Sequence, residues 1–218
     1  RGSRLTIFSP SNIVDPIIGW WAYYLAKIGG FNFVSRELGA TRPYCSYYTY
    51  KESTASAEQK ACMEDLNRLA DTPDKWVLTI LAASGAGEPA YPTQFHFTYG
   101  AKKGDETFDD PNITIRDIST ADALMTDLAE VMERQFALHT DRQRYHNNAA
   151  AAYFGRHLTH QPNVLALRTA WSVIGWDMRA IRIAQEIAFV LNRHIEHRET
   201  PEDTELTIKA IGYADYTR

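Results

Sequence analysis

Residues 75–84, KWVLTILAAS, decide the fold class of this chain, because such an apolar run suits either a buried helix or a buried strand. Its length does not separate the two possibilities. Pro73 precedes the run in a place typical of the first residue of a helix, and GAGEP (85–89) ends it. We therefore predict a helix here, and with it a mainly helical protein.

Other segments carry clearer helical signals. Asp15 and Pro16 form a cap and first turn ahead of an apolar pattern that ends at Gly29. Ser56 and Gln59 have the spacing of a capping box, which predicts a second helix to about residue 70. Beyond residue 119 helical periodicity dominates, and it predicts helices over 119–139, 141–160 and 163–196.

Strict alternation of apolar and polar residues predicts strands in TQFHFTY (93–99) and NITIRDI (112–118). His96 falls on the outward face of that pattern, so we expect it to meet solvent. A last strand is predicted in ELTIKAIGY (205–213).

These segments together predict a mainly α, helical bundle-like single domain over residues 1–218. A small antiparallel β-hairpin is inserted near residues 93–118. Residues 1–52 would form an assembly arm and first helix, and residues 119–198 an arginine-rich helical core.

The composition is that of a globular protein, with 44% hydrophobic and 23% charged residues in 218. Two cysteines without CxxC spacing favour a reducing compartment. The apolar run 16–28 has thirteen residues, fewer than a membrane helix needs, and no signal peptide pattern is visible. We expect no membrane partner and a place in the cytoplasm or within an assembled particle.

Positive charge is concentrated in one part of the chain. Residues 142–198 carry eight arginines and three acidic residues, and no lysine occurs between Lys103 and Lys209. Guanidinium groups suit bidentate contacts with phosphates, and a tyrosine can stack on a base. Arginines that snorkel over a core would explain the same pattern. The predicted nucleic-acid-binding residues are Arg142, Arg144, His146, Tyr153, Arg156, His160, Arg179, Arg182 and Arg193.

The pentapeptide RHLTH (156–160) is echoed by RHIEH (193–197), and each precedes a proline. Histidines at the ends of helices would be stabilised by the helix dipole. A metal site would instead gather the four histidines His157, His160, His194 and His197, with Glu186 as a further ligand. Because neither a Glu-x-x-His pair nor HExxH occurs, we expect no metal and no cofactor.

The first helix is apolar on nearly every side, which favours contacts with a second copy of the chain. The predicted interface residues are Trp20, Trp21, Tyr23, Tyr24, Tyr47 and Tyr48. No GxSxG or Walker motif points to an enzyme. The sequence thus predicts a self-assembling structural protein of coat or nucleocapsid type that binds single-stranded nucleic acid, expected to be the RNA of a virion. The alternative is a metal- or phosphate-handling enzyme with a His/Arg cluster on its C-terminal helices.

Overall fold

The computed structural model describes residues 2–10, 16–35, 53–83, 93–99, 114–143, 155–170, 172–175 and 178–198. The helices are α1 (Pro16–Gly29), α2 (Ala57–Leu69), α3 (Ile118–Phe136) and α4 (Met178–Leu191), which continues as a π-helical turn over Asn192–Glu196. The strands are β1 (Leu5–Ser9), β2 (Asn32–Ser35), β3 (Trp76–Ala83), β4 (Phe95–Thr98), β5 (Thr140–Gln143) and β6 (Asn163–Ala170). The strand predicted at 205–213 lies outside the described residues.

The six strands form one sheet in the order β2-β1-β3-β6-β4-β5. The first four strands in this order run parallel to one another. β4 is antiparallel to β6, and β5 is parallel to β4. The fold is therefore α/β with a mostly parallel sheet, and the prediction of a mainly helical bundle is wrong.

The run at 75–84 misled the prediction because β3 is buried on both faces. Trp76, Leu78 and Ile80 belong to one half of the core, and Val77 and Leu81 to the other. A strand covered on both sides needs apolar residues throughout and loses the alternation that identifies a strand. Pro73 lies in the turn before β3 and does not begin a helix.

The same reason explains β6, which was predicted as the start of a long helix. Asn163, expected to cap that helix, instead anchors the strand. Its Oδ1 accepts hydrogen bonds from the backbone N–H groups of Arg116 (2.8 Å) and Asp117 (3.0 Å). Its Nδ2 donates to the carbonyl oxygen of Pro73 (3.2 Å). The predicted helix over 163–196 is correct only from Met178 onward.

Two further predictions need correction. Strand β5 covers residues 140–143 and so includes the start of the predicted helix 141–160, while residues 144–154 lie outside the described part. The predicted hairpin is wrong, although its first strand is present as β4. β4 pairs with β6 and β5, and residues 114–117 of its predicted partner are not in a strand.

The helices pack in two layers. α1, α3 and α4 bury their apolar residues with Leu5, Ile7 and other residues on one face of the sheet. α2 covers the opposite face, where Leu66 joins Phe8. α1, α2 and α3 confirm the helices predicted in these regions, and the capping box of Ser56 and Gln59 is present. None of the helices within the described ranges is long and apolar enough to cross a membrane.

Candidate functional site

A row of three polar residues crosses neighbouring strands near the carboxyl ends of the parallel strands β3 and β6. His96 on β4 pairs in register with Arg168 on β6 and with Asp141 on β5. Arg168 also pairs with Leu81, two residues before the ends of β3 and β6. We call Arg168, His96 and Asp141 the polar row. Ligands of open α/β sheets bind outside the carboxyl ends of parallel strands, so this level of the sheet is where a site is expected.

His96 is buried, with 2% of its surface exposed, so the expectation that it meets solvent is wrong. Residues 95 and 97 point to the layer of α1, α3 and α4, and alternation along β4 directs His96 to the other face. Its Nδ1 lies 3.6 Å from Oδ2 of Asp141, which is close enough for an ion pair when the ring is protonated. The carboxylate is therefore directed at the histidine.

Arg168 differs from the other members of the row. Its side chain is partly exposed, but its Nε atom is buried away from solvent. Within the described part of the chain, this Nε–H has no hydrogen-bond acceptor. Asp141 is two strands away, about 10 Å at ordinary strand spacing, and His96 lies between them. Among the residues that the structure describes, this fixed positive charge in the sheet therefore lacks a counter-ion.

Two threonines lie beside Arg168 on the same face. Thr79 on β3 and Thr98 on β4 both pair in register with Ala166, which precedes Arg168 by two residues on β6. Both threonines are buried, at 1% and 0% exposure, and their hydroxyl groups have no hydrogen-bond partner in the described residues. We call Thr79 and Thr98 the hydroxyl pair. Together with the Nε of Arg168, they place three buried donor groups around Ala166.

We expected the predicted nucleic-acid-binding residues to form one stripe along each of the predicted helices 141–160 and 163–196, and the first of these stripes does not begin on a helix. Arg142 is on β5, and Arg156 and His160 lie in the short turn region 155–160 that precedes β6. Arg144, His146 and Tyr153 lie outside the described residues. The stripe predicted on helix 141–160 is wrong at its start, because a strand begins there.

The second predicted stripe lies along one face of α4 and the turn after it, but two of its arginines are already bound to other residues of the chain. Arg179 donates to the carbonyl oxygen of Phe136 (2.6 Å), and Arg193 forms an ion pair with Asp127. Arg182 is exposed. Two of the three predicted arginines on this stripe therefore bind their own chain.

The paired histidines lie in different surroundings. Burial lowers the pKa of His157, and the charge of Arg156 lowers it further, so both favour the neutral ring. Nε2 of His194 is 2.7 Å from Oδ2 of Asp127, and His197 ends the π-helical turn with a left-handed backbone conformation. Across the residues with described positions, no group of three or more His, Cys, Asp or Glu side chains could hold a metal ion.

The aromatic residues of α1 largely pack within the chain. Trp21 and Tyr24 are buried in the core, and the Trp21 indole donates to the carbonyl oxygen of Ala180 (3.0 Å). Trp20 stacks on Tyr24 with ring centroids 5.5 Å apart. Only Tyr23 of the four is largely exposed, at 50%. Trp21 and Tyr24 therefore cannot serve the predicted interface as the chain is folded here, and Tyr47 and Tyr48 lie outside the described residues.

The sequence contains a signal for the polar row that the helical prediction left unused. Arg168 is the only charged residue in the apolar run NVLALRTA (163–170), a place where a charge is costly unless it has a purpose. Its closeness to His96 and Asp141 depends on strands that are far apart in sequence. No local spacing could have indicated it.

Comparisons with known proteins do not identify a family. No protein family matches the sequence, and no curated protein matches it. One similar structure is a chain from the complex of the CwlD amidase of Clostridioides difficile with the GerS lipoprotein. It has 8% identity and a TM-score of 0.48 over 89% of this chain and 99% of that one. Another is uridine phosphorylase isoform 2 from Schistosoma mansoni, with 9% identity and a TM-score of 0.41 over 88% of this chain and 86% of that one.

Proposed function

We propose that this chain binds an anionic small molecule at the carboxyl end of its sheet, with Arg168 as the residue that anchors the negative charge. The observation that carries the proposal is the buried Nε of Arg168, which has no partner among the described residues. Leaving a buried charged donor unsatisfied is expensive, and native structures rarely do so without a reason. An anionic group of a ligand would supply the missing acceptor.

Two features of the surroundings support a ligand in preference to a structural role. Arginine binds carboxylates and phosphates through a planar set of five N–H donors, so a guanidinium group with an unused donor is suited to such groups. Asp141, the carboxylate of the polar row, lies two strands from Arg168, and its Oδ2 is 3.6 Å from Nδ1 of His96 on the strand between them. The polar row therefore leaves Arg168 without a counter-ion among the described residues. This proposal agrees with the phosphate-handling alternative predicted from the sequence. It places the site on strands β4, β5 and β6, however, and not on the C-terminal helices.

The test is calorimetric titration of the full chain with inorganic phosphate and, separately, with acetate. We expect at least one anion to bind, and Arg168→Gln to weaken its binding by about tenfold or more, since hydrogen bonds to charged groups contribute about 1.5–3 kcal/mol. Arg182→Gln, which removes an exposed arginine of α4, is the matched control and should bind as the wild type does. Equal binding by the two variants would refute the proposal.

We also propose, as a second candidate, the self-assembling protein that binds single-stranded RNA. Its support is the concentration of eight arginines in residues 142–198 and the exposure of Arg182 and Tyr23. Exposed arginines neutralise phosphates without any enclosed site, and an exposed aromatic ring suits contact with another copy. This candidate binds its ligand at the surface of the protein, whereas the first binds it at the sheet. Only the first candidate therefore requires Arg168.

A further inference from the structure

The hydroxyl pair extends the site around Arg168 beyond a single positive charge. Thr79 and Thr98 flank Ala166 from the two neighbouring strands, and Arg168 follows Ala166 on the same face of β6. Ala166, which lies between the two threonines in the register, carries only a methyl group. The two hydroxyl groups and the Nε of Arg168 are buried and lack hydrogen-bond partners in the described part of the chain.

We infer that this cluster recognises a tetrahedral oxyanion, such as a phosphate monoester, and not a carboxylate. The inference rests on the proposed function and names the class of ligand. Three donors on three strand positions are satisfied together by a group with three outer oxygen atoms. A carboxylate has two oxygen atoms in one plane, and both are needed for bidentate binding to a guanidinium group.

Charge and burial agree with this assignment. The cluster contains one fixed positive charge and two neutral hydroxyl donors, and the carboxylate of the polar row, Asp141, lies two strands away beside His96. Arg168 is partly exposed, whereas Thr79 and Thr98 are buried. The arginine is thus the member through which an anion from solvent enters, and the hydroxyls complete its coordination. A water molecule could also satisfy a buried hydroxyl, so the experiment separates the two occupants.

The experiment compares inorganic phosphate, sulfate and acetate by calorimetric titration of the full chain. The variants are Arg168→Gln, Thr79→Val and Thr98→Val, with Thr126→Val on α3 as the control threonine whose hydroxyl donates to the carbonyl oxygen of Asp122. Valine keeps the shape of threonine and replaces its hydroxyl group with a methyl group, which can neither donate nor accept a hydrogen bond. We expect phosphate and sulfate to bind more tightly than acetate. Each substitution in the hydroxyl pair should weaken phosphate binding by about tenfold, as expected for one lost hydrogen bond to a charged group, with little change for acetate.

Thermal melting of each variant without ligand shows whether it folds. A valine variant that does not melt cooperatively is replaced by the serine substitution at the same position, which keeps the hydroxyl and should keep phosphate binding. Acetate binding as tight as phosphate binding, lost only in Arg168→Gln, would overturn the inference and leave the proposed function standing. Unchanged phosphate binding in both valine variants would mean that the hydroxyls hold water, and would also overturn it. Failure of all three anions to bind would overturn both proposals.

Discussion

At the scale of single residues, one carboxylate holds the start of the first strand. Oε1 of Glu196 accepts hydrogen bonds from the backbone N–H groups of Arg4 (2.8 Å) and Leu5 (3.0 Å) and from the hydroxyl group of Ser3. β1 is an inner strand between β2 and β3, and the loss of Glu196 would remove the acceptor of the partly buried N–H group of Arg4 just before this strand. The contact joins residues separated by more than 190 positions and connects the two ends of the described chain.

We therefore expect Glu196→Ala to lower the free energy of unfolding by about 1–3 kcal/mol, because one substitution removes the acceptor of three partly buried hydrogen bonds. Urea denaturation at neutral pH measures the change. Glu64→Ala, on the exposed side of α2, is the control and should change stability by less than about 0.5 kcal/mol. Similar losses in the two variants would show that Glu196 does not anchor β1.

At the scale of elements, an ion-pair cluster ties α3 to the π-helical turn after α4. Asp127 on α3 contacts both His194 (2.7 Å) and Arg193. Burial acts to raise the pKa of Asp127, but the hydrogen bond with His194 and the charge of Arg193 outweigh it, and the pKa is lowered. A carboxyl group with a lowered pKa stabilises the fold above its unfolded-state pKa and loses that effect as the pH falls through the folded-state value.

The expected consequence is a pH-dependent difference between the wild type and Asp127→Asn. The wild type should be more stable at neutral pH, by a modest amount because Asp127 is partly exposed to solvent. The difference should shrink below about pH 4, the usual pKa of an aspartate. Urea denaturation at several pH values measures it, with Asp71→Asn at an exposed position as the control. A difference that stays constant down to about pH 3 would contradict this role of Asp127.

Elements also differ in how far the sequence predicts them. α2 was predicted correctly because its signal is local: Ser56 and Gln59 satisfy the helix end by themselves. β3 and β6 were mistaken for helices because their residues are set by burial on both faces, which depends on neighbouring strands that the sequence does not reveal. The site was missed for the same reason, since Arg168 meets His96 only once β6 and β4 pair.

At the scale of the whole molecule, the arginines of the arginine-rich segment differ in their surroundings. Arg168 is held in the sheet, while Arg182 lies on the outer surface of α4. Arg179 and Arg193 are bound to their own chain and contribute less to an outer field. An enclosed site recognises the shape of a ligand, whereas an exposed basic surface responds mainly to charge density. The two proposed functions can therefore be separated by how binding depends on salt.

If the exposed surface binds single-stranded RNA, affinity should fall steeply with salt, with a slope of about −0.7 per neutralised phosphate in a plot of log affinity against log salt. Fluorescence anisotropy with a labelled RNA measures the slope. Arg182→Glu should lower both affinity and slope, whereas Arg134→Glu, at an exposed position already paired with Glu130 outside the arginine-rich segment, should have a smaller effect. Arg168→Gln should leave RNA binding unchanged even where it abolishes phosphate binding. RNA affinity that is insensitive to salt, or equal in all three variants, would remove the nucleic-acid proposal and leave the sheet site as the function to pursue.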